Sequence, residues 1–429
     1  MNAVEHSLAR GHTLQTLLDA AAPAASLHKL PRATRLALAL LDRLEGGALA
    51  LTLPDGNTVC AGRGALVAHL RIRDLRVFDE ALGRGDIGFG ESYMDGDWDV
   101  DTGELPGLLG LLSGNRKQLG DAIYGRVLRL LGHRLVHLLR ANTRRGSRRN
   151  IRAHYDLGNE FYALWLDPTM TYSAGLFAPE DRRPGELPSG TALAEAQLRK
   201  YRRILTQLDA RPGQRLLEIG CGWGGFAEVA ATEFGCEVVG LTLSPAQLAY
   251  ARERAERGGY ADRVEFRLCD YRDTSGRFDH IVSIEMIEAV GETWWPTYFR
   301  QIAHLLRPGG RCVVQAITIA DALFARYRRG TDFIQRHIFP GGMLPSPATI
   351  RKQSERAGLC IVDDFGFGRD YGLTLACWRQ RFEARIGAVG ELGFPERFNR
   401  MWRFYLAYCE AGFRSGDIDV RHYTFTHRG

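Results

Sequence analysis

The chain has 429 residues with a net charge of +6, and its composition of 45% apolar, 10% aromatic and 25% charged residues excludes wholesale disorder. This length is two to three times that of a typical domain of about 150 residues, so more than one folded unit is expected. No apolar run reaches the roughly 18 residues of a spanning helix, and the start lacks the layout of a signal peptide, so we expect a cytoplasmic protein.

The N-terminal part of the chain mixes helical and strand patterns. Residues 13–41 carry leucines at helical spacing, and residues 46–78 read as short strands interrupted by the turn formers Pro54 to Asn57. These patterns predict a small α+β domain over residues 1–115. We expect this domain to bind lipid or to form a homodimer.

A strongly basic stretch follows in residues 116–150, with apolar residues at helical spacing from 117 to 140. The arginines between Ala122 and Tyr155, where no acid occurs, are Arg126, Arg129, Arg134, Arg140, Arg144, Arg145, Arg148, Arg149 and Arg152. They account for more than the whole net charge. We predict a basic amphipathic helix and linker that dock on an anionic membrane surface; the alternative is a solvated helix packed on its own domain. The lack of interleaved aromatic residues argues against nucleic acid.

The eight cysteines are scattered and form no CxxC pair. This pattern favours buried, reduced thiols over a disulfide framework or a zinc site. We therefore predict no metal.

From Gln214 onward apolar strands alternate with helices, which predicts a parallel sheet covered on both faces. The last residues, 418–426, resemble an edge strand that closes this sheet. The predicted fold class is α/β, with a doubly wound, mostly parallel seven-stranded Rossmann-like sheet over residues 151–429 and a smaller N-terminal α+β domain. An insertion at about 320–346 is expected to form a lipid channel.

A glycine-rich loop follows the first strand of this sheet and begins a helix. It contains Glu218, Gly220, Gly222 and Gly224, and such glycines let the backbone turn tightly and approach a ligand. The second strand ends in Leu241 and Thr242 rather than in an acid suited to the ribose of NAD. The loop therefore favours S-adenosylmethionine over NAD, and a purely structural glycine turn is the remaining alternative.

Six motifs together resemble the cyclopropane fatty acid synthase family in order and spacing. They are His154 to Asn159, Thr169 to Ser173, Glu218 to Gly225, Gly240 to Gln247, Phe339 to Gly342 and Leu344 to Ser346. The resemblance runs from about Asn150 to the C-terminus. It implies a methyltransferase that uses S-adenosylmethionine to methylate the cis double bond of an acyl chain in an unsaturated phospholipid, working peripherally at the inner face of the membrane.

The same resemblance implies a set of cofactor-binding residues. Tyr172, Ser173 and Gly220 would hold the methionine end, and Thr242 and Gln247 the ribose. The residues that would meet the adenine are Asp270, Tyr271 and Arg272. Without the resemblance, Thr242 and Gln247 could equally be a helix cap and a solvated helix face.

The resemblance also implies a catalytic centre, from which this sequence departs. Glu288 and Tyr371 match the family's active-site glutamate and tyrosine. The family usually holds a bicarbonate ion as base between these two, a backbone amide near Ile317, a cysteine and a histidine. Here the cysteine position is Ala174, which is expected to contribute nothing, and the histidine position is Gln315, which cannot carry charge. Bicarbonate dependence is therefore doubtful.

An additional carboxylate, Glu285, lies three residues before Glu288. Two close carboxylates raise one pKa, which would suit a base supplied by the protein itself; the alternative is a solvated acid at a helix start. A protein base favours a methyl- or methylene-branched product over cyclopropane. Candidate channel residues are Trp294, Trp295, Phe299, Phe333, Ile334 and Phe339, each of which could instead be core.

Two further functions compete with the methyltransferase acting on phospholipid. Loss of the usual cysteine and histidine would also fit a non-catalytic lipid-binding or cofactor-sensing relative. A methyltransferase of another small molecule would need neither the basic stretch nor the N-terminal domain. Retention of Glu288 and Tyr371 favours the phospholipid enzyme.

Overall fold

The computed structural model describes residues 29–119, 157–183 and 186–428, so the arginine-rich stretch lies outside the described residues. The described residues form two compact units. The first contains residues 29–119 and 394–415, and the second contains residues 157–393 and 416–428.

The first unit has a small sheet with the strand order β2-β1-β3-β4. Its strands are β1 (Gly47–Thr52), β2 (Thr58–Arg63), β3 (Leu66–Ile72) and β4 (Trp98–Asp99). The first two form the antiparallel hairpin expected around Pro54 to Asn57, because proline, aspartate and glycine favour a turn there. Its first helices are α1 (Arg32–Leu41), α2 (Arg76–Asp95), α3 (Leu105–Gly114) and α4 (Arg116–Leu119).

The second unit contains a seven-stranded sheet with the order β10-β11-β9-β8-β5-β6-β7. Its strands are β5 (Arg215–Ile219), β6 (Glu237–Thr242), β7 (Val264–Leu268), β8 (Phe278–Ile284), β9 (Leu306–Ile319), β10 (Leu359–Gly366) and β11 (Ile418–His427). The five strands from β9 to β7 run parallel, and β11 is antiparallel to both β9 and β10. The mostly parallel seven-stranded sheet is therefore confirmed.

Helices cover both faces of this sheet. They are α5 (Asn159–Trp165), α6 (Gly190–Leu208), α7 (Gly225–Thr232), α8 (Pro245–Gly258), α9 (Ile287–Val290), α10 (Trp295–Leu305), α11 (Asp321–Tyr327), α12 (Phe333–His337), α13 (Pro347–Arg356), α14 (Gly368–Ala384) and α15 (Ile386–Glu391). One apolar core lies under α10 and α13, and a second under α6, α7 and α8. The two cores explain why the central strands are apolar throughout rather than alternating.

The C-terminal strand β11 is not the edge strand that the sequence suggested. It lies between β9 and β10 and pairs with both. The edge strand is β10, whose residues alternate between more and less exposed positions, as expected for a strand with one solvated side. The sequence of β10 does not itself alternate between apolar and polar residues, so its edge position was not evident before the strands were paired.

Helix α16 (Glu396–Ser415) groups with the first unit, although the sequence had placed it in the methyltransferase domain. The reason is that its buried face, which includes Trp402, Phe404 and Leu406, packs mainly on α2 and α3. A simple division of the chain at residue 150 therefore does not describe the packing. Among the described residues, no helix has the length and apolar character needed to cross a membrane.

Candidate functional site

A cavity opens in the second unit at the carboxyl ends of β5, β6 and β8, the edge at which doubly wound sheets bind ligands. It encloses about 860 Å³ when its open mouth is counted. The predicted cofactor residues that line it are Tyr172, Ser173, Glu218, Gly220, Gly222, Thr242, Gln247 and Tyr271. The tertiary structure thus brings these separate segments together.

The glycines of the loop after β5 have left-handed backbone conformations, with φ of +85° at Gly220, +51° at Gly222 and +83° at Gly224. A Cβ atom on Gly220 would lie 2.3 Å from the side chain of Met286, so this position excludes larger residues. A Cβ atom on Gly222 would meet nothing within 4 Å. Gly222 therefore presents bare backbone to open space in the cavity, as a closely approaching ligand requires.

Glu218 lies one residue before the end of β5, with its carboxyl buried at the cavity wall. Its Oε2 atom has no hydrogen-bond partner among the described residues, and burial raises its pKa to about 8. A buried acceptor without a donor is costly unless a ligand supplies one. This orphaned oxygen fits a ligand with an ammonium or hydroxyl donor.

Lys200 in α6 is a fully buried cation that the sequence analysis did not select. Its Nζ donates to Ser173 Oγ at 2.6 Å and to Gln197 Oε1 at 2.9 Å, so it holds Ser173 in place at the cavity. Burial lowers the pKa of Lys200 to about 7, and the charges of Glu285, Asp167 and Glu218 oppose this shift. A lysine on the apolar face of a helix, in register with Leu193 and Ile204, was the available signal.

The second strand ends in two buried polar side chains. Thr242 Oγ1 donates to Gln247 Oε1 at 3.0 Å, and the hydroxyl of Ser244 caps helix α8 by accepting from the Gln247 backbone amide. The cap is therefore Ser244 rather than Thr242, and Gln247 is buried rather than solvated. These groups match the donors and acceptors that a ribose diol needs.

Of the three residues predicted to bind adenine, one lines the cavity and the other two pair with each other beside it. Arg272 binds the Asp270 carboxylate through two nitrogens, at 2.8 Å and 2.6 Å, and both side chains are buried. Only Tyr271 of the three lines the cavity. The ion pair thus braces the short turn on which Tyr271 lies.

The loop after α5 places Tyr172 and Ser173 at the cavity. The Tyr172 ring packs among Tyr162, Trp165 and Trp378, with ring centroids 5.3 to 5.5 Å apart. Gln197 Nε2 donates to the Ser173 carbonyl at 2.8 Å. The loop is therefore fixed by helix α6 on one side and by aromatic packing on the other.

At the inner wall of the cavity, the Glu285 carboxylate accepts three hydrogen bonds. Its Oε1 accepts from the Ala174 backbone amide at 2.9 Å and from Gln315 Nε2 at 2.7 Å. Its Oε2 accepts from the Tyr371 hydroxyl at 2.7 Å. The carboxylate thus lies among the positions that the family resemblance assigns to the bicarbonate ion.

Two expectations are corrected by this arrangement. Glu285 is buried at the site rather than solvated at a helix start, and Ala174 contributes a donor through its backbone although its side chain cannot. The backbone of Glu285 is left-handed, with φ of +50°, which costs a non-glycine residue about 1–2 kcal/mol. Such conformations persist where the surroundings impose them, often at active sites.

Glu288 in α9 is the second buried carboxyl of this centre. Its Oε1 accepts from the Ile317 backbone amide, and its Oε2 has no hydrogen-bond partner among the described residues. Burial and, after it, the negative charge of Glu285 raise the pKa of Glu288 to about 8. The two carboxyls therefore divide the donors around the site between them.

The aromatic residues proposed for a channel do not all belong to one. Trp295 and Phe299 are buried in the core beneath α10, so packing accounts for them. Trp294 is only partly buried and lies 5.0 Å from the Arg272 guanidinium. The core residues were mistaken because an apolar helix face looks the same whether it meets the protein core or a lipid chain.

Known proteins resemble this chain over most of its length. Residues 142–423 match the family model described as mycolic acid cyclopropane synthetase. The chain is 43% identical over 361 residues to tuberculostearic acid methyltransferase UfaA1 of Mycobacterium tuberculosis, covering 81% of each chain. It is 34% identical over 368 residues to cyclopropane-fatty-acyl-phospholipid synthase of Escherichia coli, covering 85% of this chain and 89% of the relative.

A solved structure shares the fold of the second unit. The mycolic acid cyclopropane synthase CmaA1, complexed with SAH and CTAB, is 30% identical with a TM-score of 0.59, and the match covers 65% of this chain and 97% of CmaA1. Sequence, fold and site therefore lead to one assignment. The chain belongs to the mycolic acid cyclopropane synthetase family.

Proposed function

We propose that this protein transfers a methyl group from S-adenosylmethionine to the cis double bond of an unsaturated acyl chain in a membrane phospholipid, with Glu285 as the base. Family membership makes the chain an S-adenosylmethionine-dependent methyltransferase of lipid acyl chains. The observation that carries the proposal is the Glu285 carboxylate, held by Ala174, Gln315 and Tyr371.

The cavity residues fit S-adenosylmethionine, which supplies a methyl group on a sulfonium sulfur. Glu218 would accept from the ammonium of the methionine end, beside Tyr172 and Ser173. Thr242 and Gln247 would bind the ribose hydroxyls, and Tyr271 would pack on the adenine, with Asp270 and Arg272 holding it in place. Gly220 and Gly222 would let the backbone of the loop approach the cofactor, whereas Gly224 lies against Ala251 and Phe266.

The base is needed because an alkene has no proton to lose before it is methylated. A carbon–carbon bond forms to the incoming methyl carbon as that carbon's bond to sulfur breaks, leaving a cation on the neighbouring carbon of the acyl chain. Loss of one proton to Glu285 then completes the reaction. No oxidant or reductant is consumed.

Glu285 is the better base of the two carboxyls at the centre. Burial raises the pKa of both, but three donated hydrogen bonds and the Lys200 charge favour ionisation of Glu285. Glu288 holds its proton at neutral pH, because it has one donor and faces the Glu285 charge. We infer that a single negative charge, on Glu285, faces the acyl cation and stabilises it. A second ionised carboxylate would add to the free-energy cost of burying charge.

The fixed base favours a methylene- or methyl-branched alkene product over cyclopropane. Each product releases one proton. Cyclopropane forms when the new methyl carbon loses it as the ring closes, a methylene group when a hydride shift precedes the same loss, and a methyl-branched alkene when a neighbouring chain carbon loses it. A carboxylate in place of the family's usual bound ion changes which of these protons is taken. Mass spectrometry of acyl chains after incubation with unsaturated phospholipid and methyl-labelled S-adenosylmethionine tests the function, and product fragmentation separates the two outcomes.

Cofactor binding is expected to release close to one proton at pH 7. The pKa of Glu218 is about 8 in the empty cavity, so its carboxyl is mostly protonated at that pH, and a bound cation lowers this pKa. Calorimetric titration in two buffers of different ionisation enthalpy measures the release. Glu218→Gln should bind more weakly and release no proton. A heat independent of the buffer would contradict the role of Glu218.

Docking on an anionic membrane is proposed for the arginine-rich stretch. Each basic side chain near such a surface is worth about 1 kcal/mol, so replacing Arg144, Arg145, Arg148 and Arg149 by glutamine should lower activity on anionic vesicles by at least tenfold. Cofactor affinity should not change. Vesicle sedimentation should weaken between 0.1 M and 1 M salt, as the Debye length falls from about 10 Å to about 3 Å. If this variant sedimented with vesicles as the parent does, another surface of the protein would have to bind the membrane.

A further inference from the structure

A buried hydrogen-bond chain runs from the surface of the second unit to Glu285, and none of its outer members was selected from the sequence. Arg203 in α6 donates to His422 Nδ1 at 3.3 Å, and His422 Nε2 lies 2.8 Å from Gln315 Oε1. Gln315 Nε2 then donates to Glu285 at 2.7 Å. His422 and Gln315 lie directly opposite each other on β11 and β9.

The direction of every bond in this chain is set by its outer end. A guanidinium can only donate, so His422 Nδ1 must accept and the ring proton must lie on Nε2. The Nε2–H group then donates to Gln315 Oε1, which turns the amide nitrogen of Gln315 toward Glu285. The amide could otherwise flip and present its oxygen to the carboxylate, since its two ends are similar in shape.

The outer end is itself held in place. Arg203 is paired with Asp363 of β10 at 3.1 Å and lies over the Phe365 ring, 4.1 Å from its centroid. The His422 ring is fully buried and packs edge-on against Phe367, with centroids 4.8 Å apart. Neither the His422 ring nor the Arg203 guanidinium is therefore free to exchange partners.

We propose that Arg203 and His422 are positioning residues that fix the Gln315 amide so that it donates to Glu285. The proposal rests on the proposed role of Glu285. In this family's usual centre a histidine would contact the ion directly; here a histidine stands one strand further out and acts through the glutamine. This hydrogen-bond chain orients the Gln315 amide and does not transfer a proton, because an amide does not readily pass a proton on.

The charged and titratable groups around this chain are few. Lys200, Tyr371 and Glu288 face Glu285, and Arg203 and Lys200 are the cations that act on His422. Burial, followed by these two cations, lowers the pKa of His422 well below its usual value, so the ring is neutral where the enzyme works. Any effect of this hydrogen-bond chain on the pH profile must therefore arise from a changed pKa of Glu285.

A pair of variants tests the proposal by the pH profile. In His422→Phe, which keeps a flat ring beside Phe367, Gln315 loses its fixed orientation and Glu285 loses a donor. The acidic limb of kcat/KM should move up by about one pH unit, the size of one hydrogen bond to a charge, with activity at high pH retained. His422→Gln, whose amide can accept from Arg203 and donate to Gln315, should restore the parent profile.

The control is His427→Gln on the same strand, where Nε2 of the ring lies 3.1 Å from the Leu306 carbonyl oxygen. It should leave the profile unchanged. An unmoved acidic limb in His422→Phe, or a limb moved equally by all three substitutions, would overturn the proposal. Cofactor affinity, measured in each variant, should match the parent.

A second measurement does not depend on activity. In the parent, nitrogen NMR of labelled histidine should show His422 neutral with its proton on Nε2, its signal being assigned by its absence in His422→Gln. In Arg203→Met that preference should be lost. A proton on Nδ1 or a charged ring in the parent would refute the proposal. Full activity of Glu285→Gln would instead refute the base, leaving this measurement valid.

Discussion

Replacing Glu285 by glutamine should reduce turnover by about 10²–10⁴-fold, the range typical of a lost general base. Glutamine has the same shape, and its one oxygen can still accept from the Ala174 amide while its NH2 group donates to the Tyr371 hydroxyl, but it cannot take the proton that the acyl cation must lose. Cofactor affinity should change by less than about tenfold. Single-turnover assays with labelled cofactor and unsaturated phospholipid vesicles measure the first quantity, and calorimetry the second.

The matched control is Glu237→Gln, which makes the same chemical change at an exposed residue at the start of β6. It should behave as the parent. If Glu285→Gln turned over normally while Glu237→Gln did so too, the base would have to be sought at Glu288. A normal rate with a changed product would show that Glu285 selects the product and does not limit the rate.

Bicarbonate provides a complementary test of the same carboxylate. The parent should be equally active in buffers depleted of bicarbonate, because Glu285 already occupies the donors of Ala174, Gln315 and Tyr371. Glu285→Gly should be inactive, and added bicarbonate should restore part of its activity. Glycine accepts the backbone φ of +50° without strain and leaves the three donors open to an ion. Loss of parent activity on depletion would contradict the proposed base.

Replacing Gly222 by valine should weaken cofactor binding by at least about 100-fold, which corresponds to roughly 2.7 kcal/mol. The new side chain would enter open space that the cavity reserves for the ligand, since a Cβ atom there meets no protein atom within 4 Å. A β-branched residue also resists the φ of +51°. Titration calorimetry with S-adenosylmethionine or its demethylated product gives the affinity.

Backbone strain has to be separated from the loss of ligand space. Gly213→Val makes the same substitution at another left-handed glycine, with φ of +79° and no neighbour within 4 Å of a Cβ atom, in the turn before β5 and outside the cavity. It should lower the melting temperature by a similar amount but bind the cofactor normally. Equal cofactor affinities of Gly222→Val and Gly213→Val would show that the glycine loop does not bind the cofactor.

The sequence alone was sufficient for the glycine loop and for the class of cofactor. The loop from Glu218 to Gly224 is continuous in the chain, and its chemistry follows from the backbone conformations that only glycine adopts easily. The alternating strands likewise predicted the doubly wound sheet, because burial on both faces demands continuous apolar runs. Local pattern and local chemistry decide such features.

The sequence was less informative where one pattern serves two environments. Trp295 and Phe299 looked like channel residues and are core, because an apolar helix face does not record what covers it. Lys200 was not selected from the sequence and is fully buried, with its ammonium group donating to Ser173. The edge position of β10 was also missed, since strand order depends on pairing between distant segments.

The surroundings of the proposed base are set by tertiary structure. Ala174, Glu285, Gln315 and Tyr371 are far apart in the chain, and a loop, two strand positions and a helix bring them together around one carboxylate. The sequence determined that a cysteine and a histidine were missing and that an extra glutamate stood nearby. Only the register of β8 against β9 and the left-handed backbone at Glu285 could bring that carboxylate to the donors of Ala174, Gln315 and Tyr371. No residue pattern specifies this, because hydrogen bonds depend on distances of a few tenths of an ångström.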